Sequence, residues 1–255
     1  MQRTSPLRVG VVLPVHNEER LLPTTLTCLG QALDRLGSPV EEWRLAVVLD
    51  RCSDGSAAVV RRWQTEQRHS PGGARVEVAT IDAGNVGAAR RTGCDALLRH
   101  WSDVSPASVW LSTTDGDSEV PPEWLSTQVR HRRRGAEVWV GSVAVDDWSG
   151  RTDGLSEEWQ RRYAAEHLPV HGANLGIDGA TYRGLGGFED LATGEDRALV
   201  RRALDAGAVI HHDRSVRVTT SSRRIARAPG GFARALDAIE STVEWTSPDN
   251  VPVSV

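Results

Sequence analysis

Four apolar runs of strand length lie between residues 9 and 112, each ends in a polar turn, and helix-length segments separate them. The strand expected at 9–15 precedes an amphipathic helix over 19–36, and the strand at 43–49 precedes a helix over Ser56–Gln67. Ser53, Asp54 and Ser56 are the candidate caps of that second helix. A strand over Val76–Ile81, a helix over 87–100 and a strand over 109–112 complete the series. Strands and helices alternating at this spacing form an α/β fold with a mostly parallel central sheet flanked by helices on both faces.

After residue 138 the alternation weakens. A strand is expected at Val138–Val145, helices at 156–165 and 193–206, the latter stopped by Gly207, and a strand within 209–218. There is no internal repeat, low-complexity tract or linker, so the reading is one domain over 1–232 with halves at 1–118 and 119–232. A tail over 233–255 follows, with a short helical pattern and a Pro-containing end.

Hydrophobic residues make up 39% of the 255, enough to bury a sizeable core and to set aside a disordered chain. The formal net charge of −4 sets aside a nucleic-acid binder held by a global basic field. All 30 basic residues are Arg, the cation suited to gripping a phosphate with two parallel hydrogen bonds. Cys28, Cys52 and Cys94 are too widely spaced for a zinc site or a disulfide framework, which fits a reducing compartment. Charge appears too early for a signal peptide, and no apolar stretch reaches the length of a membrane span. A cytoplasmic protein without a transmembrane segment is expected.

In parallel sheets of this type, ligands bind beyond the carboxyl ends of the strands. That rule singles out His16, Asn17 and Glu18, then Asp50, then Asp82 and Asn85, then Asp115 and Asp117. The sharpest element is Thr113-Thr114-Asp115-Gly116-Asp117-Ser118, directly after a buried strand. Two carboxylates one residue apart at a strand end can share a divalent cation that neutralises a diphosphate. The same triplet also reads as an Asp-Gly turn with a solvated neighbour.

These motifs resemble the glycosyltransferases with the GT-A fold, specifically the large family 2 group, over roughly residues 8–231. Val12-Leu13-Pro14-Val15-His16-Asn17-Glu18-Glu19 is similar to the family's opening strand and loop, which implies a place beside the nucleotide base for Pro14, His16, Asn17 and Glu18. The resemblance gives Asp50 a contact to the base or ribose, and it gives Asn85, Gly87 and Arg90 a hold on nucleotide or pyrophosphate at a helix start. It makes Asp115 and Asp117 the ligands of Mg²⁺ or Mn²⁺, with Asp115 also beside the donor. Gly172, Ala173, Asn174 and Gly187 match the acceptor side. Glu195 and Asp196 match the acidic pair opening a helix, with Asp196 as general base in an inverting displacement. Without the resemblance, that pair reads as helix N-terminal charge.

The implied activity is metal-dependent transfer of a sugar from a nucleotide-diphosphate sugar to an acceptor hydroxyl. Small molecules, lipid carriers and glycans are all open as acceptors. The family's late metal-binding His is missing from 216–224; His211 and His212 precede that stretch, and Arg223 or Arg224 is a substitute that would neutralise the diphosphate. His171 stands beside the acceptor segment, and Trp148 and Trp159 flank that half, where an indole can stack on a sugar ring. The run Arg130–Arg134 reads as a solvated face, and the tail is the segment available to pair a homodimer or to lie on a membrane. Two rival readings stay open, a nucleotidyltransferase and a non-catalytic nucleotide-sugar-binding protein. Pro14–Glu18 lacks the Gly-rich loop of the first, and the joint presence of Asp115, Asp117 and Asp196 argues against the second.

Overall fold

The structure is a computed structural model that describes residues 6–38, 40–67, 75–145, 147–221 and 232–246. Its centre is β1 (Leu7–Val15), which pairs in parallel with β2 (Val40–Asp50) on one side and β4 (Val109–Thr113) on the other. β3 (Val76–Ile81) extends the sheet beyond β2, again parallel. The helices α1 (Leu22–Asp34), α2 (Ser56–Gln67) and α3 (Val86–His100) make the crossovers that parallel strands require.

Alternate residues of β1 serve opposite layers, as the pleat dictates. Val9, Val11, Leu13 and Val15 pack with Leu22, Leu26, Leu29 and Leu33 of α1 in one core. Val12 joins Cys94, Leu97 and Leu98 of α3 in the other. The sheet therefore carries helices on both faces.

The second half departs from the simple alternation. β5 (Ser118–Glu119) and α4 (Trp124–Arg133) follow β4, then β6 (Val138–Val145) and α5 (Leu155–Ala165). β7 (Leu175–Asp178) enters antiparallel between β4 and β6, and α6 (Gly179–Gly184) and α7 (Glu195–Asp205) lead to β8 (Ile210–Thr220). The eight strands run β3-β2-β1-β4-β7-β6-β8-β5. Helix α8 (Phe232–Thr246) packs against α5 and buries Leu236 in the first core.

The expected helix over 19–36 is shorter. Leu21 and Leu22 both donate to the Glu18 carbonyl in a turn, and α1 begins at Leu22 with Pro23 in its first turn, where the missing N–H costs nothing. The Arg run on α4 is not wholly solvated: Arg132 is buried, pairs with Asp178 and donates to the Ala107 carbonyl at 2.9 Å. Among the described residues no helix is long and apolar enough to cross a membrane.

Candidate active site

The carboxyl ends of β1, β2 and β4 open into one cavity of about 470 Å³, a size typical of small-molecule sites. Pro14, His16 and Glu18 line it from β1, Asp50 from β2, and Asp115 and Asp117 from the loop after β4. Asn85 and Arg90 reach it from the start of α3, Gly172 and Ala173 from the turn before β7, and Glu195 and Asp196 from the first turn of α7. Most of the carboxylates that the strand-end rule singles out thus face one space.

Each is held by local structure. The Asp50 carboxylate accepts three backbone N–H groups, from Ala83 and Gly84 at 2.9 Å and Asn85 at 3.0 Å, while its carbonyl accepts from His16 Nδ1 at 2.7 Å. Asp50 therefore shapes the loop after β3 as well as facing the cavity. Asn85 caps α3 by accepting from the Ala88 N–H at 2.6 Å. Arg90, one turn later, is buried and donates to both Glu195 and Asp115. Asp196 accepts from the Gly172 N–H and from the Arg197 N–H, each at 2.7 Å.

Asp115 and Asp117 offer only carboxylate oxygens, and hard divalent cations such as Mg²⁺ and Mn²⁺ prefer that donor set. Among the described residues, no group of three His, Cys, Asp or Glu with ligand atoms within 4.8 Å of one another includes either aspartate. The carboxylate oxygens of the pair are the donor type such a cation takes, and Asp115 also accepts from Arg90. The group that does meet that spacing is His131, His211 and Asp213, and none of the three lines the cavity. His212 also lies off the cavity, and Arg223 and Arg224 lie outside the described residues.

Four of the expected site residues sit behind the wall. Asn17 adopts φ +55° and its Oδ1 accepts from the Ser53 and Asp54 N–H groups, tying the β1 loop to the β2 loop. Gly87 lies against the chain at 189–191, where a Cβ would collide with the Glu189 carbonyl oxygen. Asn174 is buried, donating to the Ser142 and Val216 carbonyls and accepting from Trp124 Nε1 at 2.7 Å. Gly187 sits in a turn at φ +76° against the Tyr182 hydroxyl. Asp82 pairs with the exposed Arg51 outside the cavity.

Other lining residues had no local signal. Val143 of β6, Tyr163 of α5 and Ala235 and Ile239 of α8 form the far wall, joined by His171 and Trp159. Burial pushes the His171 imidazole down to about 4, against the opposing pull of Asp196.

The family model described as glycosyl transferase family 2 matches residues 10–185. Among curated proteins, the chain is 26% identical over 228 residues to undecaprenyl-phosphate 4-deoxy-4-formamido-L-arabinose transferase of Serratia proteamaculans (strain 568), covering 89% of this chain and 59% of that protein. It therefore spans less than two thirds of that relative's length. Among solved structures, it is similar to S. aureus TarS 1-349 in complex with UDP-GlcNAc, with TM-score 0.61 and 12% identity over 95% of this chain and 68% of that one. It is similar also to the mannosyltransferase PcManGT from Pyrobaculum calidifontis in complex with GDP-Man and Mn²⁺, with TM-score 0.59 and 17% identity over 99% and 75% of the two chains. Glucosyl-3-phosphoglycerate synthase from Mycobacterium tuberculosis, in complex with Mg²⁺ and UDP, gives TM-score 0.54 and 14% identity over 92% and 79%. At these identities the likeness is one of fold, the GT-A fold of nucleotide-sugar glycosyltransferases. With the family model spanning most of the sheet and its strand-end carboxylates, the chain belongs to glycosyl transferase family 2.

Proposed function

We propose that the chain transfers a sugar from a nucleoside-diphosphate sugar to an acceptor hydroxyl, with inversion at the anomeric carbon. The observation that carries this reading is the convergence of Asp50, Asp115, Asp117 and Asp196 on one cavity. Residues 1–118 are the donor half and 119–232 the acceptor half, and α8 closes the acceptor side. The donors bound in similar structures, UDP-GlcNAc and GDP-Man, support a nucleotide sugar.

Asp115 and Asp117 would hold Mg²⁺ or Mn²⁺, which neutralises charge on the departing diphosphate. His16 and Asp50 shape the nucleotide end, and Asn85 presents the N-terminus of α3, where backbone N–H groups favour phosphate. Asp196 takes the acceptor hydroxyl's proton as that oxygen attacks. Its two oxygens, held by the Gly172 and Arg197 N–H groups, fix the carboxylate's orientation for this role. Excluding water and aligning acceptor with donor contribute more than the proton transfer, which supplies roughly 10²–10⁴-fold.

The direct test is donor turnover with UDP- and GDP-sugars plus Mn²⁺, across acceptors from small alcohols to polyprenyl phosphates and glycans. Asp196→Asn should keep donor binding and lose transfer by at least 100-fold. Near-full transfer by that variant would refute the base assignment, and retained anomeric configuration in the product would refute the single displacement.

A further inference from the structure

Outside the catalytic cavity, one cluster brings three metal-ligand side chains together from two elements. His131 stands in the last turn of α4, and His211 and Asp213 lie two residues apart on β8, so they share one face of the strand. Helix α4 packs against β8, and one ligand atom from each of the three residues lies within 4.8 Å of the other two. His212, between the two β8 residues, falls on the opposite face.

The carboxylate of this cluster is held in place by a break in the strand. Gly141 of β6 pairs with Asp213 but Ser142 pairs with Arg217, so residues 214–216 stand outside the ladder. Bulges of this kind re-aim side chains. Ser215, inside the bulge, donates its N–H at 2.7 Å and its hydroxyl at 2.6 Å to Asp213 Oδ1. The other oxygen, Oδ2, stands 3.5 Å from His131 Nε2. An N–H···O hydrogen bond spans about 2.7–3.2 Å. Two ligand atoms of one tetrahedral zinc ion lie roughly 3.3–3.5 Å apart, and the observed spacing agrees with the second distance. The His131 and His211 rings stack with centroids 3.7 Å apart and 18° between their planes, which brings both imidazoles to the carboxylate. Rotation about χ2 fans their nitrogens toward one centre. The His131 and Asp213 side chains are 14% and 11% exposed, so the centre is shielded from bulk water yet open to an ion.

We propose that His131, His211 and Asp213 form a structural site for a divalent d-block cation of the Zn²⁺ type, with solvent in the fourth position. Two imidazoles and a carboxylate are ligands that zinc takes, whereas Mg²⁺ favours oxygen donors alone. The donor set therefore differs in kind from the two carboxylates of Asp115 and Asp117. Ser215 is the outer group that orients the carboxylate, as ligand residues commonly require. A cation here ties α4 to β8 ahead of Thr220, the residue that ends β8 and lines the catalytic cavity.

Calorimetric titration of the full chain, first stripped with EDTA, with Zn²⁺ and with Mg²⁺ tests this. The tightest equivalent of Zn²⁺ should bind at least 100-fold more tightly than Mg²⁺. His211→Phe, which keeps a ring to stack on His131, and Asp213→Asn should each weaken Zn²⁺ at least tenfold. Asp117→Ala should leave that Zn²⁺ affinity unchanged, which separates this site from the cavity. Co²⁺ bound to the wild type should show the visible d–d absorption of a four-coordinate ion, without the near-ultraviolet thiolate band that Cys28, Cys52 or Cys94 would add. No Zn²⁺ binding by the wild type, unaltered binding in either site variant, loss of binding in Asp117→Ala, Mg²⁺ binding as tight as Zn²⁺, or a thiolate band overturns the assignment. Every readout is metal binding, so the result stands apart from the transferase reading.

Discussion

The Arg90 guanidinium and the Glu195 carboxylate form an ion pair in which neither side chain is more than 4% exposed, although 105 positions separate them in the chain. The same guanidinium donates to Asp115. One buried cation therefore ties α3 to the first turn of α7 and to the loop after β4. The resemblance assigns Arg90 to the diphosphate and Glu195 to catalysis, and the geometry adds a structural task to both. The fit is tight, because a Cβ on Gly172 would collide with the Arg90 guanidinium.

Removing one partner of a buried pair leaves an uncompensated charge and typically costs about 3–5 kcal/mol. Glu195→Ala should lose stability on that scale in urea unfolding, with Asp115 limiting the loss. Glu195→Gln, which keeps an acceptor for the guanidinium, should lose less. Equal stability of Glu195→Ala and the wild type would show that the pair contributes nothing.

Asp50 makes a second forecast. Its carboxylate carries three backbone N–H groups of the loop that leads into α3. Asp50→Ala strands those donors, at about 1–3 kcal/mol for each one that water does not reach. Hydrogen exchange at residues 83–85 should speed up, and UDP or GDP affinity should fall with it. Unchanged exchange at Gly84 in the variant would show that the carboxylate does not order the loop.

The alternating half of the fold is readable from the residues because each strand is built on an apolar run that ends in a polar turn, with a helix-length segment before the next run. The boundaries of α2 and β3 agree with expectation for that reason, and in the second half those of β6 agree as well. β7 is not readable: its four residues, Leu-Gly-Ile-Asp, acquire strand character only by docking antiparallel between β4 and β6. The site divides along the same line. Asp50, Asp115 and Asp117 follow from a rule about strand ends, so they are visible in the chain. Asn174 follows its motif, yet the structure turns it inward because Trp124, Ser142 and Val216 offer it partners. Ile239 and Ala235 carry no local mark at all, since their place in the wall depends on where α8 docks.

The buried His171 makes stability depend on pH. Its folded value of about 4 lies below the ordinary 6.5, because burial disfavours the imidazolium. The unfolded chain takes up a proton first as pH falls. The stability it contributes is therefore full above about 6.5 and is lost as pH falls toward 4, by up to about 3 kcal/mol at 1.36 kcal/mol per unit. His131 and His212 are shifted the same way by burial and add to the trend. Urea midpoints at pH 7 and pH 5 should differ less in His171→Gln than in the wild type. An identical pH dependence in the two proteins would clear His171 of the effect.

Donor and cation binding should be coupled through Asp117, which lines the cavity beside the Asp115 that Arg90 already holds. A ligand at 100 times its dissociation constant adds about 2.7 kcal/mol to stability. Thermal unfolding with UDP or GDP and Mn²⁺ should rise accordingly, and with either component alone it should rise less. In Asp117→Ala the added shift from Mn²⁺ should disappear while the nucleotide's own shift survives, because the base end of the cavity at His16 and Asp50 is untouched. In Asp115→Ala the outcome differs: Arg90 loses one of two partners, so the protein without ligand should already melt earlier. A Mn²⁺-dependent shift that persists in Asp117→Ala would move the cation away from this pair of aspartates.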